Sequence, residues 1–424
     1  MLYSALLILK WLFILMLAIV VLIGLFLQFA PTFGGKPSGD TAKRIANSPN
    51  FNGKTFVNLP VSSAVIAGKL NDIAPYIAQK QTQNAQSGGL LWQFLFPPKG
   101  KNPSYPIETV PLNLKQKTAK ATTKTITNPH VDTTLKDGEF VWLGHSTVLF
   151  RILGKLLMTD PVFHRASPLP IGGKPFKMTH PPQAKDLPFI DGVLISHDHY
   201  DHLDHKAIKQ LAHKVGHFYV PLGVKAHLIR WGVAADNISE YDWYESASIK
   251  SASITGGASL SKDEITLTFA PTRHFSGRRL TGQNTSLWGS WAVQSQQLSV
   301  YFSGDGGYSE EFAKIGERFG GFDVAFIEDG AYNQSWRNVH MMPEESAQAG
   351  IDVQAKVVLP IHWGKFDLSV HHWREPVRRL KLAFDNYNST QPAKHRIKVA
   401  TPRIGQVFTL DTLPTAPWWE HKAS

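Results

Sequence analysis

SHDHYDHLDH, residues 196–205, places four histidines and three aspartates in ten consecutive positions. Neither solubility nor secondary structure asks for such a run, so its explanation is chemical. It begins where PFIDGVLIS (188–196) ends, an apolar run that reads as a buried strand. In an extended segment His197 and His199, two apart, project to the same side and can hold one metal ion together. Asp201 and His202 follow where the chain turns toward a helix, which aims them at a second ion nearby. Companions stand at the ends of later strands: His274 in PTRHFS, Asp305 in the glycine-rich turn YFSGDGGY, and His362 in LPIHWGKF. Neutral imidazoles and carboxylates without thiolates suit zinc, and would also suit iron or manganese. These seven donors are too many for one tetrahedral ion and fit two ions that share a carboxylate. Such a pair lowers the pKa of bound water and clamps the attacking and leaving oxygens of a displacement, which is what hydrolysis needs.

Around this set the reading is more open. Asp160 in MTDPVF is placed to orient a ligand histidine through its free N–H. His145 in WLGHST reads equally as a catalytic group or as a hydrogen-bonded core histidine. Asp198 and His205 lie inside the cluster but outside the ligand pattern, and are taken as solvent-facing or supporting. His371 and His372 are taken as surface.

The 424 residues, 43% apolar and 18% charged, describe a globular chain with a substantial core. The net charge of +11 favours an anionic lipid surface over nucleic acid, because no nucleic-acid module or arginine-rich run accompanies it. With no cysteine, disulfides and thiolate metal sites are excluded. Residues 11–30, WLFILMLAIVVLIGLFLQFA, carry no charge and are long enough to cross about 30 Å of hydrocarbon. A cleaved signal peptide is disfavoured, since no small-x-small site follows and Pro31 succeeds Ala30. The segment reads as a retained single-pass anchor. Charges flanking it give no clean vote on orientation. The shortness of the N-terminal tail leans toward a catalytic domain on the non-cytoplasmic, periplasmic face.

Three segments result: an anchor (1–32), a linker and N-terminal extension (33–135), and a catalytic domain (136–424). Residues 33–50 read as linker from their Gly, Pro, Ser and Asn content. LLWQFLFPPKGK (90–101) is either a lipid-dipping patch or a core segment, and NLKQKTAKATTK (113–124) a solvated basic stretch. From residue 138 short β-rich runs alternate with helical patterns such as SEEFAKIGERF and MPEESAQAGIDVQA, which predicts an α/β layered domain. Leu153–Gly154 predicts the turn of a β-hairpin.

SHDHYDHLD, GDGGY and IHWG resemble the metallo-β-lactamase superfamily. WLGHSTVLF, LPFIDGVLISHDHYDHLD, WGSWAV, FAKIGERFGGFDVAFIEDGAY and VQAKVVLPIHWGKF narrow the resemblance to its N-acyl-phosphatidylethanolamine-hydrolysing phospholipase D branch. FNGKTFVN (51–58) adds a weaker echo. The resemblance implies an αβ/βα sandwich with two zinc ions at one edge. One ion would take His197, His199 and His274, the other Asp201, His202 and His362, with Asp305 bridging. His340, in NVHMMPEES, matches a family histidine that faces the substrate phosphate. The chain also departs from the branch. Val339 stands where the branch usually has Gln, and LPIGGKPFK does not match the branch's cap loop. Glu328 and Asp329 replace apolar residues, and at least one of them is expected to face solvent or to pair with a Lys or Arg. The spanning helix is an addition.

The resemblance thus implies a membrane-anchored phosphodiesterase that cleaves N-acyl phosphatidylethanolamine to phosphatidic acid and an N-acylethanolamine. Asp201 would orient the nucleophile, Asp305 would join the metals, and His340 would act on the leaving side. The partners are the bilayer and its phospholipid, with no nucleic acid. Two alternatives stand beside it: a hydrolase of a soluble phosphodiester or lactone, and a non-catalytic metal- or lipid-binding membrane protein. Oligomeric state is left open, a homodimer being one option. The tail APWWEHKAS is expected on a partner subunit or on lipid.

Overall fold

Leu153 and Gly154 both adopt positive φ, 49° and 73°, the backbone twist that lets a two-residue loop join antiparallel strands without splaying them. They connect β2 (Val148–Ile152) to β3 (Lys155–Thr159), with Ile152 opposite Lys155. This hairpin starts the first half of the fold in the computed structural model, which describes residues 2–60, 100–114, 135–169, 172–250, 264–279 and 281–420. Most of 90–101 and 113–124 lies outside the described residues.

Alternation along the strands sorts the core. In β1 (Glu139–Trp142), Phe140 and Trp142 enter one apolar cluster and Val141 another. In β3, Leu157 enters the first and Leu156 and Met158 the second. In β10 (Ser299–Phe302) and β11 (Phe322–Glu328), Val300, Phe302, Val324 and Phe326 join the same first cluster, while Tyr301, Ala325 and Ile327 enter a third. The first cluster is therefore the layer between two sheets, as the edge-to-face contact of Phe140 with Phe326 at 6.1 Å confirms. The other two lie on the outer faces under helices.

Among the described residues each sheet has seven strands. The first runs β14 (Val407–Thr409), β1, β2, β3, β4 (Ile190–Leu194), β5 (Val215–Pro221), β6 (Ile238–Tyr241). The second runs β13 (Lys398–Val399), β12 (Ala355–Ile361), β11, β10, β9 (Ser290–Gln294), β8 (Glu264–Ala270), β7 (Ser246–Lys250). In each, one half is parallel (β3 to β6; β10 to β13) and the other antiparallel. Helices α3 (His205–Leu211) and α4 (Lys225–Arg230) cover the first sheet. Helices α5 (Glu311–Phe319), α6 (Pro343–Asp352) and α7 (Glu375–Thr390) cover the second. This is the expected αβ/βα sandwich.

The N-terminal helix α1 spans Leu2–Phe29, and α2 spans Gly39–Asn47. From Leu6 to Phe29 the mean hydropathy of α1 is 3.0 and none of it is buried. At roughly 1.5 Å per residue these residues reach about 36 Å, enough to cross a bilayer. Residues 33–50 do not behave as the linker that composition suggested. Phe33 and Ile45 are buried, Thr41 Oγ1 donates to Glu240 at 2.5 Å, and Asn50 Nδ2 to Asp242 at 2.9 Å. Phe56, farther on, is fully buried. Small and polar residues here make a strap that bonds through side chains and carbonyls. The tail departs from expectation too. Trp418 and Trp419 are buried in the chain's own core, with Trp418 stacked on Trp363 at 5.5 Å and donating to the Pro402 carbonyl.

Candidate metal centre

The parallel strands of the two sheets, together with β1 and β8, deliver their C-terminal ends to one edge, where loop residues converge. His145 follows β1, Asp160 β3, His197 to His202 β4, His274 β8, Asp305 β10, Glu328 ends β11, and His362 follows β12. The turn holding the motif is tight: His202 and Leu203 both donate backbone N–H to the His199 carbonyl. Asp204 then caps α3, accepting from the N–H groups of Lys206 and Ala207.

Two donor groups form around one carboxylate. His197 Nε2, His199 Nδ1 and His274 Nε2 converge, with 2.9 Å between the first two and 3.2 Å between the last two. His362 Nε2 lies 3.2 Å and His202 Nε2 3.5 Å from Asp201 Oδ2. Asp305 Oδ2 sits between the groups, 3.0 Å from His202 and His362 and 4.0 Å from His197 and His274. All seven predicted ligands are thus brought together.

Outer contacts orient the rings. Asp160 Oδ2 takes the Nδ1 proton of His202 at 2.6 Å and the Ser196 hydroxyl at 2.5 Å, while Oδ1 takes the Ser196 N–H at 2.8 Å. His274 Nδ1 faces the Val339 carbonyl at 2.9 Å, so the position where Gln was expected acts through its backbone. His362 Nδ1 faces the Gly330 carbonyl at 3.3 Å. In each ring Nε2 is left pointing inward, the arrangement metal ligands require.

The residues fit a pair of cations. His202 Nε2 and Asp305 Oδ1 are buried without a hydrogen-bond partner among the described residues. Burial, reinforced by neighbouring histidines, holds His197 and His274 well below the ordinary imidazole value, so both are neutral donors. Burial works against charge on His202 and His362 too, yet Asp305, Asp201 and other carboxylates override it and raise both. The field there calls for positive charge. Asp201 and Asp305, despite burial, are held well below the carboxylate range chiefly by His202.

Other assignments change. His145 belongs to the site: it is buried, and its Nε2 lies 3.0 Å from Asp201 Oδ2. Only its place after a strand signalled this. Glu328 and Asp329 are both fully buried, which overturns the expectation of solvent or a Lys or Arg partner. Glu328 closes on His340 Nδ1 and accepts the Gly306 N–H at 2.7 Å. The Asp329 carboxyl has no hydrogen-bond partner among the described residues, and burial, with Glu344 nearby, raises it well above the usual range. His340 reaches the site, its Nδ1 3.9 Å from Asp305 Oδ2. Asp198 is a support, accepting from Gly277 N–H and the Ser286 hydroxyl. His205 is partly exposed beside Trp231. His371 is half-buried, stacked on Tyr332 at 4.3 Å, and burial of its ring lowers it to about 4.

A β-lactamase superfamily domain model matches residues 156–363. N-acyl-phosphatidylethanolamine-hydrolyzing phospholipase D 1 of Caenorhabditis elegans is 36% identical over 254 residues, covering 58% of this chain and 69% of that one. The chain belongs to the metallo-β-lactamase superfamily. An uncharacterized protein of Mycobacterium tuberculosis is 42% identical over 286 residues, covering 66% of this superfamily member and 70% of that chain. The mitochondrial N-acyl-phosphatidylethanolamine-hydrolyzing phospholipase D of Saccharomyces cerevisiae is 30% identical over 277 residues, covering 61% and 56%. Fold, relatives and histidine–aspartate cluster make this superfamily member a metal-dependent hydrolase.

Proposed function

We propose that this hydrolase is a membrane-anchored phospholipase D that cleaves N-acyl phosphatidylethanolamine to phosphatidic acid and an N-acylethanolamine. The observation that carries the reading is Asp305 Oδ2, set between two groups of inward-facing donors. His197, His199 and His274 would hold one zinc ion and Asp201, His202 and His362 the other, with Asp305 shared. Bound there, the metals would activate water and neutralise charge on the phosphate oxygens.

The chain's own groups handle position and protons. Asp201, fixed through His145 Nε2 at 3.0 Å, is placed to orient the attacking water. Glu328 fixes the His340 ring through Nδ1, and His340 would act on the leaving side as proton donor. The C. elegans and yeast relatives act on this lipid by name. Helix α1, whose apolar side chains are exposed all round, would sit in the bilayer and keep the site at its substrate, on the periplasmic face.

The test is hydrolysis of this lipid by purified, zinc-loaded protein in ¹⁸O-water, with a His197→Ala, Asp305→Ala control. Phosphatidic acid carrying ¹⁸O, absent from the control, is expected. Absence of turnover with metals bound would leave soluble phosphodiesters and lactones as the substrates to try.

A further inference from the structure

The junction of α1 with the domain is rigidly tied. Arg230 donates to the carbonyls of Phe29 and Gly34, Trp231 Nε1 to that of Pro31, and Arg278 to that of Thr32. Arg278 also binds the carbonyls of Asp198 and Leu203 and lies 4.2 Å over the Tyr200 ring, so one buried guanidinium fastens the end of the anchor to the histidine loop. Beside this junction lies a groove of about 530 Å³. Phe26 and Ala30 of the anchor's end line one side, with Leu169, 44% exposed, also in the lining. Arg165 and Lys206 line it as well, and Tyr200, between His199 and Asp201, forms a wall. Lys206 Nζ has no protein partner among the described residues, and Arg165 uses one nitrogen on the Gly172 carbonyl. The acid in this lining, Asp204, is buried and already engaged by His164 Nδ1 at 2.8 Å and by backbone N–H groups.

The geometry points to this groove as the loading site for one anionic phospholipid drawn from the bilayer that α1 occupies, its phosphate against Arg165 and Lys206 and its chains against Phe26, Ala30 and Leu169. The inference rests on the membrane and lipid reading above, and it adds a basis for headgroup choice. Acylation of the ethanolamine nitrogen removes its positive charge, leaving the headgroup with the net charge of its phosphate. A basic groove therefore favours the N-acylated lipid over the zwitterionic parent. The groove also starts where α1 leaves the hydrocarbon, and Tyr200 joins it to the metal loop.

The test uses the full chain in vesicles of phosphatidylcholine and phosphatidylglycerol carrying an N-acyl phosphatidylethanolamine with a photoreactive acyl chain. Labelled peptides containing 164–169 or 203–206 are expected. Each basic group near an anionic lipid is worth about fivefold in occupancy. Loss of the two positive charges alone amounts to about 25-fold, so Arg165→Glu with Lys206→Glu should lower that labelling at least about 25-fold and raise KM on vesicles. The rate on a soluble phosphodiester, bis(p-nitrophenyl) phosphate, should stay at its original value. Labelling confined to α1, or labelling and KM that ignore the charge reversal, would overturn the proposal even if the lipid is hydrolysed. Labelling of the groove without turnover of any phosphodiester would uphold the groove and remove the substrate reading instead.

Discussion

Asp160→Asn is the sharpest probe of how the metal centre is built. The carboxylate is fully buried and accepts three donors: Ser196 N–H on Oδ1, and the His202 Nδ1 proton and the Ser196 hydroxyl on Oδ2. A carboxamide has one acceptor oxygen. If that oxygen stays on the Ser196 N–H, the NH₂ group meets His202 Nδ1–H; if it flips, the NH₂ meets the Ser196 N–H. Either way one donor faces a donor at about hydrogen-bond distance, and a charge-assisted bond of about 1.5–3 kcal/mol is lost. His202 would respond by rotating, which turns Nε2 away from Asp305, or by changing tautomer, which puts the proton on Nε2 and removes the lone pair a metal needs. Outer partners of this kind are worth about 10–100-fold in metal affinity. Titration against a chromophoric chelator should show the weaker of two zinc equivalents loosened by that factor, with the urea midpoint lowered in step. Both equivalents bound with unaltered affinity by a folded variant would refute the claim that Asp160 sets the His202 ring.

Three further outcomes are expected. Burial lowers the Lys365 ammonium to about 7, although Nζ donates to the Leu143 and Val162 carbonyls. The unfolded chain then binds more protons between about pH 7 and 10, so stability should rise with pH across that window, by up to about 1.4 kcal/mol per unit. Lys365→Met should abolish this rise in urea midpoints; parallel curves for the two proteins would contradict it. Glu328→Gln removes the charged partner of His340 Nδ1, and should reduce kcat about 10–100-fold with KM and zinc content unchanged. Trp418→Ala, which empties a buried place among Trp142, Trp363 and Trp373, should cost about 3–5 kcal/mol by denaturant unfolding. A loss below about 1 kcal/mol would return the tail to the surface.

The metal set was legible because its information is local. His197, His199, Asp201 and His202 lie within six residues, and His274, Asp305 and His362 each follow a strand of strong β character. Two-residue alternation in the strands and the Leu153–Gly154 turn likewise follow from backbone geometry that neighbours dictate. Together they specify an α/β layered fold with donors at the strand ends. What local pattern cannot encode is which distant group satisfies a buried atom. His145 meets Asp201 across 56 residues, and Asn58 donates to the His274 carbonyl across 216. Composition read 33–50 as a linker because glycine, proline and serine also suit a strap that bonds through its carbonyls; only remote arginines, Arg230 at the end of α4 and Arg278 in the loop after β8, distinguish the two. The same holds for Glu328. Its charge alone argued for water or a cation, whereas a histidine from the loop before α6 made burial tolerable. The sequence by itself therefore determined the donors and the layers, which depend on residue type and period. The tertiary structure decided pairing, burial and orientation, because those depend on which surfaces meet when two sheets close on one another.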